Sequence, residues 1–97
     1  MRSLILRPAA AADVEDAYRW YESRRPGLGE EFLHATRRVI DSILENPEQS
    51  PVVRRKTRRA LVRRFPYSIF YRVVEDNVVV VACMHGRRDP NRWQKRE

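Results

Sequence analysis

The stretch ACMHGRRDPNRW, residues 82–93, gathers His85, Arg87, Arg88, Asp89, Arg92 and Trp93 within nine positions. Arg63 and Arg64 lie at the end of an earlier basic run. Cutting RNA without a metal needs a base for the 2′-hydroxyl, cations for the crowded phosphate and an acid for the leaving oxygen. His85 is suited to move a proton, because imidazole titrates near neutral pH. Arg63, Arg64 and Arg87 would stabilise charge, but arginine stays protonated and is a poor proton carrier. The same residues also fit a binding surface. Trp93 beside Arg87, Arg88 and Arg92 is an aromatic among cations, a combination favoured at interfaces. Each has a plainer role as well. A histidine at a strand end often makes one hydrogen bond and does no chemistry. Asp89 followed by Pro90 reads as the start of a short helix, and Trp93 would then dock that helix onto the sheet.

The elements around these residues are set by periodicity. RSLILR, residues 2–7, is a short strand. Pro8 suits the first turn of a helix, where its missing N–H costs nothing. Ala10, Val14, Ala17, Tyr18 and Tyr21 then follow at helical spacing up to the Arg-Pro-Gly at residues 25–27. A second helix carries Leu28, Phe32, Ala35, Val39, Ile43 and Leu44 on one stripe, has Glu30 and Glu31 in its first turn, and stops at Asn46-Pro47. Two helices joined by so short a turn make an antiparallel hairpin. From residue 52 the basic VVRRKTRRALVRRF, then YSIFYRVVE and VVVVACMH, read as three strands of an antiparallel meander. Phe65-Pro66-Tyr67 makes the first turn and Glu75-Asp76-Asn77 the second, where Asp and Asn tolerate left-handed backbone. Residues 78–82 are apolar at consecutive positions, so that strand is central and covered on both faces. The N-terminal strand joins the sheet to satisfy its backbone groups. The expected fold is α+β, with element order β-α-α-β-β-β and a short C-terminal helix. An antiparallel sheet is covered on one face by the helical hairpin.

Totals narrow the function classes. Ninety-seven residues suffice for a single domain, 1–97, with little core to spare for a deep pocket. The net charge of +7 is uneven: residues 1–51 hold 7 Lys/Arg against 9 Asp/Glu (−2), and residues 52–97 hold 13 against 4 (+9). That asymmetry points to an acidic protein or a nucleic acid as partner. Cys83 is the only cysteine, and His34 and His85 lie in different elements, so neither a disulfide nor a metal site is expected, and no cofactor. No stretch has the length of a membrane span, and a cytoplasmic protein is the simplest expectation. Tyr18, Trp20 and Tyr21 place three aromatics within four residues of the first helix. One face cannot bury all three, so at least one is expected to be exposed, and Trp20 is the best candidate.

RRFPYSIFYRVVEDNVVVVACMHGRRDPNRW, residues 63–93, resembles the RelE/ParE family of toxins from bacterial toxin–antitoxin systems, more closely the ParE-like branch. The resemblance rests on Phe65-Pro66-Tyr67 between strands, Tyr71-Arg72 in the next strand, and a last strand ending in His85, Arg87 or Arg88, and Asp89. A strand and a helical hairpin precede these elements. It implies a plasmid-stabilisation toxin silenced by a small acidic antitoxin in a hetero-oligomer, with Tyr18, Trp20, Tyr21, Arg58 and Arg72 expected to meet the antitoxin. The family holds two chemistries on one fold. ParE-like members inhibit DNA gyrase, and here Arg87, Arg88, Arg92 and Trp93 would touch the target. RelE-like members cut mRNA on the ribosome, and here His85, Arg87, Arg64 and Arg63 would form the centre. The late tyrosine of the RelE-like pattern is missing: the tyrosines are Tyr18, Tyr21, Tyr67 and Tyr71. A third reading is a non-toxic basic module that binds RNA or an acidic protein.

Overall fold

The structure is a computed structural model that describes residues 2–87 and 90–97. Its elements run β1 (Ser3–Leu6), α1 (Pro8–Arg24), α2 (Leu28–Glu45), β2 (Val52–Arg54), β3 (Thr57–Leu61), β4 (Tyr67–Val74), β5 (Asn77–His85) and α3 (Asn91–Gln94). The α+β class and the helical hairpin over the sheet are as the periodicity predicts. The sheet differs in two respects. It has five strands in the order β1-β5-β4-β3-β2, because the basic segment folds back on itself as a hairpin of β2 and β3. It is also mixed, since β1 lies parallel to β5, with Ser3 opposite Asn77 and Leu6 opposite Val80.

The helical hairpin is closed by a borrowed cap. Gly27 takes φ +89°, a left-handed conformation that suits glycine. No side chain of that turn caps α2. Instead Glu22 of α1 accepts the backbone N–H groups of Gly27 and Gly29, each at 2.9 Å. A carboxylate there also complements the positive end of the helix dipole. A Cβ on Gly29 would lie 2.8 Å from the Tyr18 ring, so only glycine lets the helices cross this closely. At the far end of α2, Arg2 donates to the carbonyl of Leu44 at 3.0 Å, satisfying a terminal acceptor.

β5 is buried from Val78 through Met84, as an unbroken apolar run requires. Val78, Val80 and Cys83 face the hairpin with Ala17, Phe32 and Ile69. Val79, Val81, Ala82 and Met84 face the other side with Phe70 and Trp93. Val81 and Ala82 share a face because the ladder slips there: Phe70 pairs with Ala82, while Tyr71 pairs with Val80. This bulge turns the remainder of the strand over. Cys83 therefore returns to the helical side, and His85 comes opposite Tyr67.

Candidate functional site

β1 is only four residues long and its pairing ends where Leu6 meets Val80. Beyond that point, among the described residues, no strand pairs with β5 on its β1 side, just where the bulge falls. Asp13 of α1 accepts the Cys83 N–H at 3.0 Å, and Arg96 donates to the Val81 carbonyl at 3.2 Å. Arg96 and Asp13 also meet each other through two nitrogen–oxygen pairs, at 2.5 and 3.1 Å. The hydrogen bond to Asp13 holds the Arg96 guanidinium above its ordinary pKa. The C-terminal segment is pinned further along the sheet. Trp93 stacks on Phe70 with centroids 4.4 Å apart. Glu97, its side chain 3% exposed, pairs with Arg54 at 2.7 Å and accepts from the Thr57 hydroxyl. The segment thus covers the sheet face opposite the hairpin.

Above the clamp a groove of about 730 Å³ opens between α1 and the end of β5. Asp16, Trp20 and Tyr21 supply one wall, Pro66, Tyr67 and His85 the other, and Arg92 the rim. Phe65 and Tyr67 pack against Tyr21 and Phe32 with centroids 5.0–6.0 Å apart, so the Phe-Pro-Tyr turn ties the hairpin to the sheet. Burial, with Tyr67 and Cys83 nearby, raises the Tyr21 phenol above its ordinary pKa. Burial, followed by the Asp13 charge, pushes the Cys83 thiol up to about 12, so it is inert at neutral pH. The His85 ring lies 5.4 Å from that of Tyr67. Its Nδ1 accepts the Arg87 N–H at 3.0 Å, which leaves the proton of the neutral ring on Nε2.

The residues singled out by sequence separate into different places. Trp20 is 48% exposed, with the Arg24 guanidinium 4.6 Å from its ring centre. Tyr21 is buried, and Tyr18 is half-buried at the helix crossing over Gly29. Burial and the neighbouring Glu22 and Glu30 raise the Tyr18 pKa. Arg58 donates to the carbonyls of Glu48 and Ser50, at 3.1 and 2.7 Å, and latches the loop after α2. Arg72 lies on the sheet face away from the hairpin, its Nε without a partner. Arg87 is exposed beyond β5 and Arg92 is exposed at the groove rim. Trp93, which the sequence offers either to an interface or to docking of the final helix, is 8% exposed against Phe70 and is the one apolar residue of that short helix. Arg88 and Asp89 lie outside the described residues. Of the nuclease candidates, His85 lines the α1 groove, whereas Arg63 and Arg64 line a separate groove beside α2. Neither of these two grooves gathers all four, and Arg87 lines neither.

Sequence reasoning missed Asp13, Arg96 and Glu97. One signal for Asp13 was present: it falls between Ala10 and Ala17 on the buried stripe of α1, an unusual place for a carboxylate without a partner. The partner, 83 residues away, gave no local sign.

A family model described as "ParE toxin of type II toxin-antitoxin system, parDE" matches residues 4–90. A solved structure of a chromosomal ParDE TA system from P. aeruginosa is similar in fold, with a TM-score of 0.66 and 21% identity. That match covers 88% of this chain and 96% of the other. No curated protein matches the sequence.

Proposed function

The chain belongs to the ParE toxin family of type II toxin–antitoxin systems, and from that membership we propose that it is the toxin of such a module, inhibiting DNA gyrase and neutralised by a cognate acidic antitoxin. The likeness to a ParDE TA system supports an antitoxin partner. What most favours gyrase over RNA as the target is the separation of the charged groups. RNA cleavage needs a proton carrier and phosphate-binding cations converging on one phosphate. Here His85 lines one groove and Arg63 and Arg64 another. An inhibitor that works by binding has no need of such convergence. Arg87 and Arg92, both beyond the end of β5, are exposed and offer positive charge to a target.

The antitoxin reading centres on Trp20. A large aromatic held by a cation–π contact at the mouth of an aromatic-walled groove is the kind of anchor that dominates interfaces. Inducible expression in bacteria tests the proposal. Growth should stop, and co-expression of the cognate antitoxin should restore it. Unimpaired colony formation at high expression would instead indicate a non-toxic basic binding module. One observation favours mRNA cleavage: His85 lines a groove together with Arg92 and presents Nε2 as its proton-bearing nitrogen. On that reading His85→Ala abolishes cleavage of ribosome-bound mRNA and leaves antitoxin binding intact.

A further inference from the structure

The two edges of the sheet differ in chemistry. The β2–β3 edge carries Arg54, Arg58 and Arg59. At the other edge β1 reads Ser3, Leu4, Ile5, Leu6, with no charge, proline or glycine within it and no slip in its register. Its apolar side chains lie open: Leu4 is 40%, Ile5 45% and Leu6 40% exposed. Edge strands of soluble proteins usually carry a charge, a proline or a bulge that prevents further pairing, and β1 has none of these.

The backbone phase of β1 fixes which of its groups are open. Ser3 donates to the Asp76 carbonyl at 3.3 Å and Arg7 to the Val80 carbonyl at 3.2 Å. The backbone groups of Ser3, Ile5 and Arg7 therefore face β5, and by alternation the N–H and C=O of Leu4 and Leu6 point outward. Among the described residues no strand lies beyond them. The arginines that bracket the strand are turned back on their own chain. Arg2 donates to the Leu44 carbonyl at 3.0 Å, and Arg7 to the Arg96 carbonyl at 2.7 Å.

We propose that β1 is a self-association edge, at which two copies of this chain pair antiparallel about a two-fold axis through Ile5. Leu4 then lies opposite Leu6 of the other copy, each such pair exchanging both backbone hydrogen bonds, and Ile5 lies opposite its own counterpart. A two-fold interface needs this self-complementarity. Neighbouring registers fit worse. Centring on Leu6 sets Leu4 against Pro8, which has no N–H, and centring on Leu4 sets Ile5 against Ser3. About Ile5, Arg7 meets Ser3, so no like charges face each other. Charge selects the occupant. Residues 2–24, which hold β1 and α1, contain 4 Arg against 4 Asp/Glu, a net charge of zero. A second copy is not repelled there, as it would be at the arginine-bearing β2–β3 edge. An acidic segment or a nucleic acid meets no cation on the strand, and the nearest two, Arg2 and Arg7, are already engaged. The strand is short and the whole chain carries +7, so the pair is a weak one. The edge does not depend on whether gyrase is the target.

Sedimentation velocity on the purified full-length chain tests this. A monomer–dimer equilibrium is expected, with a dissociation constant of about 100 µM. Ile5→Lys and Ile5→Glu each set like charges face to face across the axis. Each alone should dimerise at least about tenfold more weakly. Far-UV circular dichroism should match the parent, because position 5 is exposed. An equimolar mixture of the two variants should dimerise again, as a heterodimer. A parent still monomeric at about 500 µM, single variants that pair like the parent, or a mixture that stays monomeric would each overturn the proposal. So would a parent that is monomeric alone and whose Leu4 and Leu6 amides are protected from exchange by bound antitoxin, which would give the edge to that partner.

Discussion

Replacing Asp13 by alanine removes two things at once. Arg96 loses its carboxylate, and the Cys83 N–H loses its acceptor beside the bulge. Breaking a fully buried ion pair costs about 3–5 kcal/mol. Here the side chains of Asp13 and Arg96 keep 16% and 27% of their exposure, so water recovers part of that. Leaving the Cys83 N–H unpaired adds about 1–3 kcal/mol. The expected net loss is ~3 kcal/mol, a large share of the ~5–15 kcal/mol that holds a domain folded. For a chain of this size that corresponds to a fall in melting temperature of about 12–24 °C. Arg96→Met should cost less, because Asp13 still serves Cys83 and stays partly hydrated. The double variant should show a coupling of about 1 kcal/mol or more between the two sites. Thermal unfolding followed by circular dichroism measures all three. A melting temperature for Asp13→Ala within about 2 °C of the parent would show that the bulge needs no clamp.

Other consequences follow from the same packing. Gly29→Ala forces a Cβ to 2.8 Å from the Tyr18 ring and should cost about 1–3 kcal/mol in a urea titration. Trp93→Ala removes the stack on Phe70 and should destabilise by about 3 kcal/mol, with increased binding of a hydrophobic dye as the opposite sheet face is uncovered. The Cys83 thiol should resist alkylation in the folded protein at pH 8. Because its folded pKa is raised above the unfolded value, the unfolded chain loses that proton first. Stability should therefore be unaffected by this group at neutral pH and fall above pH 9 towards about 12, at up to ~1.4 kcal/mol per pH unit. Cys83→Ser would test the share of that slope owed to the thiol. Trp20→Ala should weaken antitoxin binding without moving the melting temperature, and unchanged affinity in calorimetry would remove Trp20 as the anchor.

The helices were legible because their apolar residues recur at helical spacing, and the two long strands because they are short runs rich in β-branched and aromatic residues bounded by turn signals. The α2 stripe from Leu28 to Leu44 and the Val-rich run of β5 have no competing reading. The β2–β3 hairpin was not legible, because its turn has Arg55 and Lys56 where glycine or asparagine would have signalled it. Arg55 takes a positive φ of 52° there, as does Glu75, at 57°, in the later turn where Asp76 or Asn77 was the expected left-handed residue. The bulge is silent in sequence for a different reason: a run apolar at every position shows no alternation to be broken. At the candidate site, the exposure of Trp20 followed from crowding three aromatics onto one helix. The burial of Trp93 did not, since one tryptophan among arginines fits an interface and a docked helix equally well. Contacts such as Asp13 with Arg96 and Glu97 with Arg54 join distant segments through ordinary surface residue types, so only the fold reveals them.

The most direct measurement is a supercoiling assay with purified gyrase and the purified toxin, run beside a translation system in which ribosome-bound mRNA is probed for cuts. Inhibition of supercoiling at stoichiometric toxin, relieved by antitoxin and accompanied by intact mRNA, is the predicted result. Undiminished gyrase activity at large toxin excess, together with mRNA cleavage lost in His85→Ala, would contradict it.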